Sequence, residues 1–120
     1  MHITEAELEV MDVLWAKPGL KAVEVFEALQ ATTKWSVHTV KSLLSRLVEK
    51  QALAIEVDGR RYLYSPAVAE ATYRQQAATR FVDRVFGGRA APLVAHFADA
   101  KGLTDEDIAE LEELLEALKK

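Results

Sequence analysis

Apolar residues in the first 50 positions recur at intervals of three and four, the spacing of one face of an α-helix. Lys17-Pro18-Gly19 and the polar run Ala31–Lys34 interrupt the pattern, so we expect three helices with brief connections. Thr4 and Glu7 have the spacing of a capping box ahead of the first helix. The apolar positions of the three helices are Leu8, Met11, Leu14 and Trp15, then Ala22, Val25, Phe26 and Leu29, then Val40, Leu43, Leu44 and Leu47. This order is typical of a helix-turn-helix unit.

The third of these helices has a distinct polar face. Ser36 is a good N-cap, so we expect the helix to begin directly after it. The side opposite the aliphatic stripe carries His38, Lys41, Ser42 and Ser45, with Thr39 and Arg46 at its borders. Hydroxyls, an imidazole and two cations can all donate to base edges or phosphates, which suits a DNA groove. An ordinary solvated face would show the same pattern, and the helix alone does not separate the two interpretations.

After Lys50 the period of the hydrophobic pattern changes from 3.6 to 2, which predicts two strands. Asp58-Gly59 between them is a hairpin signal because both residues tolerate positive φ, and it leaves Arg60 and Arg61 at the tip. The alternating positions are Leu53, Ile55 and Val57, then Tyr62 and Tyr64. A hairpin with a cationic tip directly after a helix-turn-helix is a wing, which favours DNA binding. The alternative for the two arginines is a solvated turn.

The segment from Ala67 to the C-terminus predicts three further helices, broken at Gly87-Gly88 and at Gly102. They carry more apolar side chains than they can easily bury among themselves. We expect the same segment of a second subunit to cover these residues; the alternative is that the helices fold back on their own winged helix. The predicted dimerisation residues are Phe81, Val85, Leu93, Phe97, Ile108, Leu111, Leu115 and Leu118.

The expected fold class is therefore mainly α with a small β-hairpin. A winged helix-turn-helix domain at residues 1–66 precedes a helical dimerisation domain at residues 67–120.

The distribution of charge removes an objection to nucleic-acid binding. The net charge is −4, but Lys34–Arg61 carries six Lys and Arg against three Asp and Glu, whereas the segment from Ala67 onwards carries seven against ten. Because salt screens charges beyond about 8 Å, the basic middle can still bind phosphates. This predicts a modest affinity that falls steeply with salt.

Other residue types exclude several classes of function. The chain has no cysteine, which excludes disulfides, thiolate metal sites and a cysteine nucleophile. His2, His38 and His96 fall in three different elements without carboxylates at metal-binding spacing, and there is no Gly-rich phosphate loop. We therefore expect no enzyme activity, no metal and no cofactor. No apolar run approaches the roughly 20 residues that span a bilayer, and the acidic start is no signal peptide, so we expect a cytoplasmic protein.

Four stretches together resemble the penicillinase-repressor family, the BlaI/MecI group of winged-helix repressors. They are TEAELEVMDVLW, KWSVHTVKSLLSRLVEK, RRYLYSP and RVFGGRAAPLVAHFADAKGLTDEDIAELEELL. The resemblance implies a homodimeric repressor that binds an inverted-repeat DNA operator. The DNA-facing positions that it implies on the third helix are Ser36, His38, Thr39, Lys41, Ser42, Ser45 and Arg46. The competing interpretation is a winged helix used for protein–protein contact.

The resemblance also implies a mode of inactivation. Relatives are cut in the penultimate helix after a membrane β-lactam sensor with a zinc-protease domain is triggered, and the matching bond is His96–Phe97. His96 replaces the Asn that relatives often have. Gln51 stands where a Gly with positive φ is common, which predicts strain there, and Glu49 stands where a second cation is common. The absence of cysteine excludes the copper-sensing motif of one branch.

Overall fold

The computed structural model describes residues 1–120 and contains six helices and one antiparallel hairpin. The architecture expected from the periodicity, mainly α with a small hairpin, is confirmed. None of the helices combines the length and the apolar character needed to cross a membrane. In chain order the elements are α1 Glu5–Ala16, α2 Ala22–Leu29, α3 Val37–Glu49, β1 Leu53–Asp58, β2 Arg61–Pro66, α4 Glu70–Phe86, α5 Ala90–Ala100 and α6 Asp105–Leu118.

The core lies between α1, α2 and α3, and the start of β1 contributes to it. Thr4 and Glu7 form the predicted capping box of α1, and Ser36 caps α3 through its side chain. The apolar positions expected from the spacing are buried, except that Leu8, Trp15, Ala22 and Phe26 are only partly buried. Val10, which was not among the expected positions, is fully buried. The buried apolar residues are Ile3, Val10, Met11, Leu14, Leu20, Val25, Leu29, Val40, Leu43, Leu44, Leu47, Ala52, Leu53 and Tyr73.

The hairpin turn lies one residue further along the chain than predicted. Asp58 pairs with Arg61 across the strands, so the two turn residues are Gly59 and Arg60, and Gly59 has a φ of +64°. Glycine at the first turn position accepts this conformation without a Cβ clash, so Asp58 stays in the strand. The prediction of Asp58-Gly59 as the turn was wrong by one position. Arg60 is at the tip as expected, whereas Arg61 is the first residue of β2.

The outer edge of β2 is hydrogen-bonded to the connection between α1 and α2. The Gly19 N–H donates to the Tyr64 carbonyl at 2.9 Å, and the Tyr64 N–H donates to the Leu20 carbonyl at 2.8 Å. This bridge is formed by residues 44 positions apart or more, and no local pattern predicts it. It ties the hairpin to the helical unit at the end where α2 begins.

The chain forms two compact units, Met1–Gln76 and Ala77–Lys120. The first unit extends ten residues beyond Pro66, because the beginning of α4 packs on α1. The Trp15 Nε1–H donates to the Val68 carbonyl at 2.9 Å, and the Trp15 ring lies 5.9 Å from that of Tyr73. These contacts satisfy the indole donor and bury Tyr73.

The second unit consists of the end of α4, α5 and α6. The Phe86 ring lies 6.0 Å from Phe81 and 6.4 Å from His96, which connects α4 to α5. Thr104 and Asp107 form a capping box at the start of α6. Neither α5 nor α6 contains a buried side chain.

Gln51 adopts the left-handed conformation that the resemblance implied, with a φ of +66°. The Gln51 N–H donates to the Val48 carbonyl at 3.0 Å, and the Ala52 N–H donates to the Leu47 carbonyl at 2.9 Å. These two bonds form a Schellman motif that ends α3, and the motif requires positive φ at the position of Gln51. A glutamine there bears a steric cost that a glycine would not.

We expect Gln51→Gly to raise the free energy of unfolding by roughly 1 kcal/mol, because it removes a strained Cβ at a position that already has positive φ. Chemical denaturation by urea measures the change. The control is Gln30→Gly at the end of α2, where φ is −61° and no strain is relieved. Equal effects at the two positions, or a loss of stability at position 51, would contradict this account of the α3 terminus.

Candidate nucleic-acid interface

Helix α3 has one buried face and one open face. Val40, Leu43, Leu44 and Leu47 are buried against the other helices. On the other side His38, Lys41, Ser45 and Arg46 are exposed, and Ser42 is half-buried at the border. The polar face predicted from the spacing is therefore accessible to a large ligand.

Ser36 and Thr39 have a structural task at the start of α3. The Thr39 N–H donates to Ser36 Oγ at 3.1 Å, and the two hydroxyl oxygens lie 3.2 Å apart. The bond from the Thr39 N–H to Ser36 caps the helix. The first turn contains no acidic residue, so no side-chain charge there neutralises the positive end of the helix dipole. An anion such as a phosphate is favoured at such a terminus.

The hairpin and α3 enclose an open cleft. Lys41 and Ser45 of α3 form one side of it, and Arg60 and Arg61 of the hairpin form another. Its remaining lining residues are Lys21, Ala22, Val23, Tyr62 and Tyr64. Four cations and two phenol groups thus surround one groove, and none of the nine residues is acidic.

The six cations counted between Lys34 and Arg61 are not equally available. The Lys50 ammonium is directed inward and bonds to Glu7, and the Arg61 guanidinium pairs with Asp58 of the same hairpin. Lys34, Lys41, Arg46 and Arg60 make no ion pair and are exposed. The positive charge that is free to meet a ligand therefore lies just before α3, on α3 and at the hairpin tip.

Five cleft residues were not among the predicted site residues, and three of them, Lys21, Tyr62 and Tyr64, have polar side chains. Lys21 is brought there by the bridge between Leu20 and β2, which the sequence pattern does not show. Tyr62 and Tyr64 alternate with Leu63. This alternation predicts that the two tyrosines share one face of the strand, but it does not predict which residues lie opposite that face. Burial raises the pKa of Tyr64, and neighbouring Tyr62 raises it further. Tyr64 therefore remains a neutral hydrogen-bond donor at physiological pH.

The outer half of the hairpin has an apolar face with nothing packed on it. Leu53 is buried, but Ile55 is 39% exposed and its neighbour Val57 is 63% exposed. Tyr62, which pairs with Val57, is 55% exposed. The predicted alternation is real, yet only its first position reaches the core, so the hairpin projects beyond the helices.

The histidines and carboxylates of the chain do not cluster into a metal site. No group of three or more His, Cys, Asp or Glu side chains is placed to hold a metal ion. His38 belongs to the open face of α3, whereas His96 contacts Phe86 in the second unit.

Residues 3–117 match the sequence model of the penicillinase repressor family. The chain belongs to this family. It is 35% identical to the penicillinase repressor of Bacillus licheniformis over 118 residues, which cover 98% of this chain and 92% of that protein. It is 29% identical to the methicillin resistance regulatory protein MecI of Staphylococcus aureus, over 95% of this chain and 93% of that protein.

A solved relative supports the fold of the first unit. The solution structure of monomeric B. licheniformis BlaI in complex with the blaP half-operator superposes with a TM-score of 0.54 at 38% identity. The match covers 61% of this chain and 89% of that one. The first unit is thus a winged helix, the hairpin is its wing, and the chain is a transcriptional repressor rather than an enzyme.

Proposed function

We propose that two copies of this chain bind an inverted-repeat DNA operator and repress transcription. Helix α3 enters the major groove of each half-site, and the wing contacts the adjacent backbone. The observation that carries the proposal is the cleft between α3 and the wing, where Lys41 of α3 and Arg60 of the hairpin line one groove without acidic residues. The positive charge of such a groove complements the phosphate backbone of a duplex. The short polar side chains of α3 allow the helix to approach the base edges closely. The DNA ligand implies action in the cytoplasm.

The relative's complex supports the choice of ligand. The B. licheniformis protein binds a half-operator, and its fold matches the first unit of this chain. We assign the contacts with bases and with the DNA backbone to the residues on the open face of α3 and on the wing. They are Ser36, His38, Thr39, Lys41, Ser42, Ser45 and Arg46 on or beside α3, with Arg60 and Arg61 on the wing.

The second unit supports a dimer through its uncovered apolar residues. Phe81, Val85 and Phe97 are between 45% and 56% exposed, and Leu118 is 73% exposed. Ile108 and Leu115 are also exposed, while Leu93 and Leu111 are half-buried. Exposed apolar residues in such number are what a protein interface covers. We assign it to the same surface of a second copy, which would present two copies of α3 to the two halves of a palindrome.

The family resemblance adds a route of inactivation, and we propose that a membrane sensor protease cuts the bond His96–Phe97. In the single chain both side chains are exposed in the middle of α5, and because Phe97 belongs to the proposed dimer surface, the cut requires that surface to open. Proteases bind extended backbone, and α5 has no buried side chain that would oppose local opening. A cut there would separate α6 from the rest of the dimerisation surface.

The proposal requires α3 to read sequence. A duplex that the full chain selects from a randomised pool is expected to contain an inverted repeat. Lys41→Ala combined with Arg46→Ala should weaken binding to it by about tenfold to a hundredfold in gel shifts, since each good base contact contributes roughly 1–3 kcal/mol. Lys17→Ala combined with Lys120→Ala removes the same charge elsewhere and serves as the control. If both pairs of substitutions have the same effect, α3 does not read the operator, and a protein partner becomes the better ligand.

The two wing arginines should differ. Arg60→Ala is expected to weaken binding to the selected duplex and to an unrelated duplex similarly, and to lower the slope of log affinity against log salt by about 1. Arg61→Ala should change binding less, because Arg61 is already paired with Asp58. A loss confined to the selected duplex would instead mean that the wing reads bases.

Leu115→Glu is expected to convert the dimer to a monomer in sedimentation at micromolar concentration, because it introduces a charge into the apolar surface. Loss of the second half-site should then reduce affinity for the full repeat by about a hundredfold or more, while binding to a single half-site stays unchanged. Ala109→Glu on the opposite, acidic side of α6 is the matched control. A wild-type chain that sediments as a monomer would contradict the dimer.

A further inference from the structure

A charged pair connects α1 to the end of α3; its carboxylate is buried, whereas the Lys50 side chain is 33% exposed. Glu7 is fully buried, and its Oε1 accepts a hydrogen bond from the Thr4 N–H at 2.9 Å and another from the Lys50 ammonium. The same ammonium donates to the His2 carbonyl at 2.9 Å. Burial raises the pKa of Glu7, but the bonds from Lys50 and Thr4 outweigh it and leave that pKa below its ordinary value. Glu7 is therefore a carboxylate inside an otherwise apolar core.

Stability alone is a poor explanation for this pair. Glu7 Oε2 is buried and has no hydrogen-bond partner, so the carboxylate is only half satisfied. Removing charges from water is costly, and apolar residues of similar size often stabilise a core as well as a buried ion pair or better. The other buried residues near Glu7 are all apolar: Ile3 before the helix, and Val10, Met11 and Leu14 in α1. A methionine at position 7 would suit this environment.

The pair holds the joint between α3 and the wing. Lys50 is the C-cap of α3, Gln51 follows in the strained left-handed conformation, and Ala52 is fully buried. Leu53 begins β1 directly after this joint. The Ala52 carbonyl accepts a hydrogen bond at 2.8 Å from the N–H of Ala67, the residue that follows β2. The three residues of the joint, together with the bridge from Leu20 to Tyr64, set the direction of the wing relative to α3. The Lys50 side chain attaches one end of this joint to α1.

We infer that Glu7 and Lys50 are positioning residues, which hold α3 and the wing in the mutual orientation that reads an operator. The inference rests on the proposed function. Base contacts depend on placement to within about 0.5 Å, whereas attraction to phosphates tolerates much larger errors. Loosening the joint should therefore reduce discrimination between sequences more than it reduces affinity for DNA in general.

The test measures the ratio of affinities for the selected duplex and for a shuffled duplex of the same composition, using the full chain. For Glu7→Met combined with Lys50→Met, we expect a urea midpoint equal to or above that of the wild type and a ratio about tenfold lower, the size of one lost base contact. Lys34→Met is the control for the missing cation. It should weaken binding to both duplexes similarly and leave the ratio unchanged.

Should the double variant fail to fold, Glu7→Gln gives the second measurement, because it keeps the shape of the side chain and removes only the charge. A lower ratio in this variant supports the positioning role, and an unchanged ratio overturns it. A wild-type chain without preference for any selected duplex contradicts the proposed function itself. A wild-type preference that both variants retain contradicts only the role of the pair.

Discussion

The two-sided character of α3 is the constraint on which the rest of the structure depends. Burial of Val40, Leu43, Leu44 and Leu47 fixes the rotation of the helix about its axis, since each aliphatic side chain contributes about 1.5–3 kcal/mol when removed from water. A rotation by half a turn would bury Lys41 and its neighbours without partners, at a far higher cost. The polar face is thus open because the opposite face is needed for the core. The same packing that stabilises the unit presents the surface that we propose reads DNA.

The charge of the cleft is opposite in sign to the net charge of the chain. The chain has a net charge of −4, yet the cleft beside α3 is lined by four cations and no acid. Nine of the 19 acidic residues lie in the second unit, among them Asp105, Glu106 and Asp107, which favour the N-terminus of α6. Screening by salt limits the reach of each patch to about 8 Å. A basic cleft on an acidic chain is therefore consistent with an affinity for DNA that depends on where the charges lie more than on the net charge.

The local features of this fold were predictable from the sequence, and the long-range ones were not. Spacing gave the helices, capping residues gave their beginnings at Thr4 and Ser36, and the resemblance indicated positive φ at Gln51. Lys50 was counted among the cations of the basic middle segment, because its partner Glu7 lies 43 positions away and no local pattern shows the pairing. Lys21 was missed as a cleft residue because no local signal places the start of α2 beside the hairpin. Such contacts depend on how elements pack, which a periodic pattern does not contain.

The most direct measurement locates α3 on bound DNA. Because the chain has no cysteine, Ser45→Cys provides a single attachment point for an iron chelate that cuts nearby DNA strands, and Ala109→Cys on α6 provides a matched control. Our account predicts cuts within both half-sites of the selected duplex from the label on α3, and none there from the label on α6. Cuts at the same places from both labels, or none from the label at position 45, would contradict it.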